Sequence, residues 1–200
     1  YWWGNNLMPV TINGSGSITG FVAQTANIAN GAIGTNQLAN GAVTNVKHGS
    51  GSVVQVVEGT VGSRIEISSG TGSWTDTNLH ATITPTSSSN KVFVIVNTTI
   101  NTGNNSSCAA TVFRGGTGGT NIGHSSYGLF HGNSSGSASA GAVIGCNMMK
   151  LDSPSTTSAT QYLVKFSRIW AGSGGNTLLP SSNNLEVSTI TLMEIAAWVI

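Results

Sequence analysis

The run Lys91-Val92-Phe93-Val94-Ile95-Val96 is almost entirely hydrophobic and gives the first indication of the fold. Valine, isoleucine and phenylalanine favour strands, and a continuous apolar run of this length is typical of a strand that is buried on both faces. We therefore expect residues 91–96 to form a central strand of a sheet that is covered on both sides.

Other short segments on both sides of this run have the same character. Residues 161–166 and 188–195 show the clearest strand chemistry, because β-branched and aromatic residues are frequent in them. Further strands are expected at residues 53–58, 64–67, 79–84, 108–114, 120–124 and 142–150, and the two clear segments extend to 161–170 and 186–195. Glycine, serine and asparagine separate these segments, and no helical periodicity extends over a long window. Eight or nine such strands predict an all-β protein, an antiparallel sandwich of jelly-roll type.

The chain carries very little charge. Charged residues are 6% of its 200 residues, against a usual share of about 25%, and the net charge is +1. There is no basic field to attract nucleic acid or anionic lipid, and no apolar run approaches the roughly 20 residues that cross a bilayer. A sandwich with so few charged edges is expected to self-associate. We therefore expect other copies of the chain as partners, with no nucleic acid and no membrane insertion.

Two cysteines, Cys108 and Cys146, fall in different predicted strands. Their spacing does not imply a disulfide framework, and small or apolar residues flank both. Free cysteine is among the most buried residue types. We therefore expect two reduced thiols in the core.

A repeat near the N-terminus predicts a stalk. Ile28-Ala29-Asn30-Gly31-Ala32-Ile33 is followed ten residues later by Leu38-Ala39-Asn40-Gly41-Ala42-Val43, so a large apolar residue recurs at every fifth position: Ile28, Ile33, Leu38 and Val43. This period fits neither a helix nor a strand, and so small an apolar face needs other copies of the chain to bury it. The alternative is a flexible Gly/Asn/Ala linker, which would not require these residues at a fixed interval. Residues 1–51 are the predicted stalk, and residues 52–200 are the predicted β-sandwich head.

Several segments together resemble a domain of bacteriophage tail-fibre proteins, with marine and cyanobacterial phages as the nearest association. They are Ala81-Thr82-Ile83-Thr84-Pro85, Val112-Phe113-Arg114, Leu151-Asp152-Ser153-Pro154 and the closing strand at 188–195. The Ala-Asn-Gly-Ala repeats and the segment Met8-Pro9-Val10-Thr11-Ile12 are similar to parts of the same proteins. The resemblance covers nearly the whole chain after Leu7, and its Leu-Asp-Ser-Pro segment and closing strand are its most specific parts.

The resemblance implies a homotrimer with a slender N-terminal shaft and a globular C-terminal head, similar in plan to C1q- and TNF-like heads. It also implies a place in the virion, with the N-terminal segment bound to other virion proteins and the head extracellular when it acts. The Trp2-Trp3 pair suits an anchor that packs against such a partner. The shaft is shorter than the family pattern, and residues 196–200 extend past the usual end of the last strand.

The sequence contains no evident catalytic set. Its six carboxylates are scattered, whereas a glycosidase needs two of them about 5–10 Å apart in a groove. No Gly-x-Ser-x-Gly elbow occurs on a strand-to-helix turn, and the glycine-rich loop at 115–119 lacks the Gly-Lys-Ser/Thr of a phosphate-binding loop. His124 and His131 are seven residues apart without a nearby acid or cysteine, which is a weak metal pattern, although a trimer would repeat a histidine three times near its axis. We therefore expect no catalytic residue, no metal and no cofactor.

Loop parity predicts where a ligand would bind. If both ends of the head lie at the shaft, as the resemblance implies, loops 101–107, 125–140 and 171–185 point away from it, and loops 85–90, 115–119 and 152–159 point toward it. The outward loops contain the candidate receptor-binding residues Tyr127, His131, Asn104, Asn105 and Asn176. Aromatic faces and amide groups suit sugars. Packing is the alternative for Tyr127 and His131, and we expect it for Phe130 and Trp170.

Three functions follow as hypotheses. The first is a non-enzymatic trimeric virion fibre protein that attaches the particle to a host-surface polysaccharide. The second is a purely structural virion appendage, such as a head fibre, collar or decoration protein, without receptor binding. The third is an enzyme that cleaves polysaccharide.

Overall fold

The head consists of two antiparallel β-sheets packed face to face. The computed structural model describes residues 49–67, 72–102, 105–133, 142–170, 177–179 and 186–197, all within the second of two units of the chain, Thr44–Ile200. The predicted stalk residues Ile28, Ile33, Leu38 and Val43 lie outside the described residues, so the stalk stays a prediction.

Eleven strands run through the described residues. They are β1 (Val53–Val61), β2 (Ile65–Ile67), β3 (Thr75–Ile83), β4 (Lys91–Thr102), β5 (Ser107–Arg114), β6 (Thr120–Asn121), β7 (Phe130–Asn133), β8 (Ala142–Asp152), β9 (Thr160–Trp170), β10 (Thr177–Leu179) and β11 (Ser188–Ile195). The described part of the chain contains no helix. The prediction of an all-β antiparallel sandwich is confirmed.

The strand order interleaves early and late parts of the chain. In the first sheet β11 lies between β1 and β4, β8 pairs with the other side of β4, and β10 connects β4 to β2. In the second sheet β9 lies between β3 and β5, while β6 and β7 both pair with β5. The partners are antiparallel throughout. Such interleaving is the arrangement found in jelly rolls.

The core lies between the two sheets and is built from alternate residues of each strand. Val92, Val94 and Val96 of β4 face it, as do Val164 and Phe166 of β9. Cys108 and Cys146 lie in the same cluster as free, fully buried thiols, as expected. Burial disfavours the thiolate, so it raises the pKa of Cys108 to about 12 and raises that of Cys146 as well.

The strand that contains residues 91–96 is central, but the prediction that both of its faces are buried is wrong. Its residues alternate between buried and half-buried positions. The inward side is closed by the second sheet, whereas Phe93 and Ile95 on the outward side are only partly covered. A continuous apolar run therefore marks a strand whose second face is left without a cover in the single chain.

The structure also corrects the extent of several smaller segments. The strand predicted at 120–124 is only two residues long, because the chain turns after Asn121. β7 and β10 lie within segments that were predicted to be loops. Both are short and lack the β-branched runs that signal a strand.

A buried carboxylate closes one end of the sandwich. Glu194 is fully buried on β11 and accepts hydrogen bonds from the Thr86 backbone N–H (2.7 Å) and hydroxyl (2.8 Å), from Asn90 Nδ2 (2.6 Å) and from Gln55 Nε2. Asn90 Oδ1 in turn accepts from the Ala197 N–H at 2.9 Å. This network joins β1, the β3–β4 loop and the end of β11, so the carboxylate has a structural role.

A second inward-facing acid, Asp152, lies on the same row of the first sheet, with Val92 between it and Glu194. Arg114 Nη1 bonds both of its oxygens at 2.8 and 2.9 Å, and the buried Tyr162 hydroxyl donates to it at 2.7 Å. Burial and the adjacent carboxylate raise the pKa of Tyr162. Segments 112–114 and 151–154, which carry part of the family resemblance, therefore meet at this ion pair.

Glu194→Gln is expected to lower the free energy of unfolding by about 2 kcal/mol at pH 7, because an amide cannot accept from all four donors. Burial alone would raise the pKa of Glu194, but the hydrogen bonds lower it below its ordinary value of 4.5. The carboxylate therefore stabilises the fold above about pH 4.5, and that stability is lost as the pH falls through the lower folded-state value. Denaturant unfolding at pH 7 and at pH 3 measures both effects.

Glu58→Gln is the matched control, since Glu58 is exposed on β1 and should tolerate the same change with little effect at either pH. Equal stability of Glu194→Gln and the unmodified protein at pH 7 would contradict this role. So would a stability difference that is the same at both pH values.

Candidate functional site

The register of the strands places the first and the last described residues of the head next to each other. Gly51 and Ser52 exchange backbone hydrogen bonds with Ala196, and Ile195 lies opposite Lys91. We call this the base end. Loops 84–90, 115–119 and 153–159 lie there too, while the β4–β5 turn lies at the opposite, distal end. The predicted parity is therefore confirmed for these loops.

The turn that carries Tyr127 does not lie at the distal end as predicted. After β6 the chain folds back along β5: the Ile122 N–H donates to the Val112 carbonyl (3.0 Å), and the Leu129 N–H donates to the Ala110 carbonyl (2.9 Å). Residues 122–129 therefore lie at mid-height on the side of the second sheet.

The shape of this turn depends on a glycine. His124 and Gly128 bond each other through both backbone N–H groups, at 3.0 and 2.8 Å. Gly128 has a φ of 65°, and a Cβ there would lie 2.2 Å from the Ala110 carbonyl oxygen. Glycine is required because a side chain would meet both strain and a backbone clash.

The His124 side chain fixes the inside of the turn. Its Nδ1 accepts hydrogen bonds from the backbone N–H groups of Ser126 and Tyr127, both at 3.2 Å. Asn121 Nδ2 donates to the His124 carbonyl at 3.1 Å, and Asn121 Oδ1 accepts from the Gly123 N–H at 2.9 Å. The positions of residues 124–127 are therefore set by local hydrogen bonds.

Three exposed aromatic rings meet on this turn and the neighbouring strand. The His124 and Tyr127 rings stack at a centroid distance of 5.4 Å and an angle of 28°. The Tyr127 and His131 rings make an edge contact at 5.0 Å and 63°. Tyr127 is 49% exposed, and both histidines are exposed as well. We call His124, Tyr127 and His131 the aromatic cluster.

A second layer of contacts holds the turn on the sheet. The Trp74 indole N–H, at the start of β3, donates to the Ser125 carbonyl at 3.0 Å, and the Trp74 ring contacts Phe113 edge-on at 6.2 Å. The nearby Lys165 ammonium lies 2.8 Å from Asp76, 2.5 Å from the Thr117 carbonyl and 4.4 Å from the centre of the Phe113 ring.

In these contacts the local charges pair with each other. Burial would raise the pKa of Asp76, but Lys165 and the Thr117 hydroxyl lower it below its ordinary value. Asp76 therefore stays ionised and is one of the three partners of the buried Lys165 ammonium. Neither charge is presented to the aromatic cluster.

The structure brings together two of the five candidate receptor-binding residues, Tyr127 and His131. Asn105 is exposed in the β4–β5 turn with a φ of 48°, at the distal end and away from the cluster. Asn104 and Asn176 lie outside the described residues.

Two further aromatic residues had been expected to pack. Phe130 does pack against the core, as expected. Trp170 does not, because it is 53% exposed in the single chain, and packing between subunits stays a prediction for it.

Sequence reasoning missed His124 and Trp74 as parts of the site. The only local signal for His124 was its position three residues before Tyr127, which does not by itself predict a shared turn. Trp74, the residue before β3, is 51 residues away from Ser125 in the sequence, so its contribution depends on the sheet register.

A second surface lies on the outer face of the first sheet. Next to the base end, the outward side chains of four adjacent strands are mostly apolar, and they form a contiguous set: Val56, Phe93, Ile95, Met149, Leu151, Met193 and Ile195. We call this set the base patch. Val56 is 54% exposed, Met149 65% and Leu151 53%, whereas the other members are half-buried. Contiguous exposed apolar patches of this kind mark interaction surfaces.

The same sheet face becomes polar toward the distal end. The outward positions there include Thr60, Asn97, Asn147 and Thr189. The contiguous apolar surface therefore lies in the half of the sheet that adjoins the base end, whereas Val143 and Val187 are exposed separately toward the distal end.

The described residues also limit the chemistry of the head. They contain no group of three or more His, Cys, Asp or Glu side chains placed to hold a metal ion. Within the same ranges no helix is long and apolar enough to cross a membrane. The neighbouring acids Asp152 and Glu194 are both buried and hydrogen-bonded, so they do not form an open acidic pair.

Comparisons with known proteins add little to this description. No protein-family model matches the sequence, and no curated protein matches it. Among solved structures, one similar chain belongs to the structure of infectious bursal disease virus, Gx strain, with 12% identity and a TM-score of 0.37. The match covers 72% of this chain and 37% of that chain, so this protein spans little more than a third of that chain's length. A likeness at this level carries no argument about function.

Gly128→Ala is expected to lower the free energy of unfolding by about 2 kcal/mol or more, because the new Cβ meets the Ala110 carbonyl and the φ is positive. Thermal or denaturant unfolding measures the change.

Gly118→Ala is the control, since a Cβ at Gly118 has no atom within 4 Å. Equal stability of the two variants would contradict the account of the turn.

Proposed function

We propose that this chain is a non-enzymatic, homotrimeric virion fibre protein, and that its head attaches the particle to a host-surface glycan. The observation that carries the proposal is the base patch. Burial of apolar surface stabilises a protein by roughly 25 cal/mol per Å², so seven apolar side chains on one face favour association with another surface.

A second copy of the chain is the partner that best fits the patch. The seven patch residues are uncharged, and the outward-facing charges within its rows are Glu58 of β1 and Lys91 of β4, which have opposite signs and do not select an acidic or a basic protein. The chain as a whole has a net charge of +1, so copies repel one another little. Self-association would therefore bury the patch at a low electrostatic cost.

The location of the patch supports a trimer on a stalk. It adjoins the base end, where residue 49 leads back to the repeat segment at 28–43. Three heads that share this face would bring their N-terminal segments together, as the predicted stalk requires. The resemblance to phage tail fibres implies the same plan, with the N-terminal segment bound to other virion proteins.

The aromatic cluster supports receptor binding. On β7, His131 alternates with Phe130, which packs against the core, so His131 and the rings in contact with it lie on the outer side of the second sheet. The base patch is on the outer side of the first sheet, so the two surfaces are on opposite faces of the sandwich. Association through the patch would therefore leave His124, Tyr127 and His131 exposed. Ring faces beside hydrogen-bonding groups suit a sugar, whose C–H faces stack while its hydroxyls bond.

A purely structural virion appendage without a receptor is the second candidate, because the base patch supports it equally. The aromatic cluster is the observation that favours attachment. Binding of the isolated protein to host cells and to a glycan array separates the two functions, and release of reducing ends from host polysaccharide would reveal an enzyme.

Met149→Lys is expected to weaken self-association by at least about tenfold, because each copy would bury an unpaired ammonium in the interface. Analytical ultracentrifugation over a range of concentrations measures the change.

Thr82→Lys is the matched control, since Thr82 is exposed on the outer face of the second sheet near the same end. An unchanged association constant for Met149→Lys would show that the base patch is not the interface.

Tyr127→Ala is expected to weaken binding to host cells by about tenfold, since it removes the central ring of the aromatic cluster. His131→Ala should have the same direction of effect. Labelled protein incubated with host cells measures adsorption.

His80→Ala is the control, because His80 is exposed on the same sheet face but outside the cluster. Adsorption that is unaffected by both cluster variants would remove the glycan site from this turn.

A further inference from the structure

The hydrogen bonds of His124 define which form of its imidazole the turn requires. Nδ1 accepts from two backbone N–H groups, those of Ser126 and Tyr127. An imidazole nitrogen that accepts cannot also carry a proton, so the proton of the neutral ring lies on Nε2. The ring therefore offers one N–H donor on the side away from the turn.

The other groups of the cluster are a phenol and an imidazole, each of which presents hydrogen-bonding atoms and a flat face. Tyr127 offers a hydroxyl and a partly exposed ring, and His131 offers an imidazole in edge contact with it. Among the described residues, strands β3, β5 and β9 carry four charged groups. Asp76 and Lys165 pair with each other at 2.8 Å, Arg114 pairs with Asp152 at the base end, and Arg168 is buried. An acidic sugar would need a free cation here, and a basic one would need a free carboxylate.

We propose that His124, Tyr127 and His131 form a subsite for an uncharged saccharide, and that the subsite is intact only when His124 is neutral. The inference rests on the proposed attachment to a glycan and specifies its chemistry. Ring faces meet the C–H face of the sugar, while the imidazole N–H and the phenol bond its hydroxyls.

Protonation of His124 disrupts the subsite. It puts a proton on Nδ1, which then faces the N–H groups of Ser126 and Tyr127 as a third donor, so both hydrogen bonds are lost. These bonds position Tyr127 in the stack, and the other titratable groups that face the ring are Tyr127 itself and, across it, His131. Histidine is the side chain that changes charge between about pH 5 and 8. Mild acid should therefore release the sugar.

The chain offers a substitution that separates the hydrogen bonds from the charge. His124→Asn keeps an oxygen that can accept from N–H groups two and three residues on, as in an Asx-turn, but it cannot be protonated. In each measurement the readout is the ratio of the value at pH 7.5 to the value at pH 5.5, either for the protection of the turn or for the binding of glycans. Loss of ring stacking in His124→Asn lowers both values alike and so leaves the ratio unchanged. His80→Asn, on the same sheet face, is the control for other pH effects.

The first measurement uses the free protein and does not depend on the glycan. Hydrogen exchange of the peptide that covers residues 122–129, corrected for the intrinsic pH dependence of exchange, reports the protection of the turn. Protection in the unmodified protein and in His80→Asn should fall about three- to tenfold between pH 7.5 and 5.5, whereas His124→Asn should show the same protection at both. Unchanged protection in the unmodified protein overturns the proposal.

The second measurement is binding to an array of neutral and acidic glycans at the same two pH values. Neutral glycans should bind at pH 7.5 and about three- to tenfold more weakly at pH 5.5, and His124→Asn should lose this ratio. A preference for acidic glycans, or a pH ratio that His124→Asn retains, overturns the subsite but leaves glycan attachment standing. Absence of binding to any glycan at either pH overturns the proposed function and the subsite together.

Discussion

The outer face of the first sheet imposes the main constraint on this protein. Strands β1, β11, β4 and β8 place apolar side chains on both of their faces near the base end, but the second sheet can cover only one of them. Met149 and Leu151 are left more than half exposed. Such a surface favours association, and the very low charge of the chain does little to prevent it. The assembly that we propose follows from this imbalance.

Buried hydrogen bonds in the interior of the base end hold that face in place. Glu194 and Asp152 lie on one row of the first sheet, and their hydrogen bonds join the loops and strands around them. Removing a partner of such a buried acid destabilises the fold, so the acids favour one arrangement of the loops. The aromatic cluster is fixed in a similar way at mid-height on the opposite face, by Gly128, His124 and Trp74. The molecule therefore separates a surface suited to assembly from one suited to a ligand.

The sequence predicted the sandwich, the two buried thiols and the ends at which four of the loops lie, because strand periodicity and burial are local properties of residues. It predicted that residues 91–96 form a central strand, but composition alone could not show that Phe93 and Ile95 lack a cover in one chain. Tyr127 and His131 were chosen for their side chains, whereas their contact and the part played by His124 depend on how residues 122–129 fold back on β5. That path depends on hydrogen bonds to the backbone carbonyls of Ala110 and Val112, which no local sequence pattern predicts.

Self-association through the first sheet is the claim on which the rest of the account depends. The mass of the full chain in solution, measured by light scattering across a range of concentrations, tests it most directly. We predict three times the mass of one chain at micromolar and higher concentrations. A stable, folded monomer throughout that range would contradict the account.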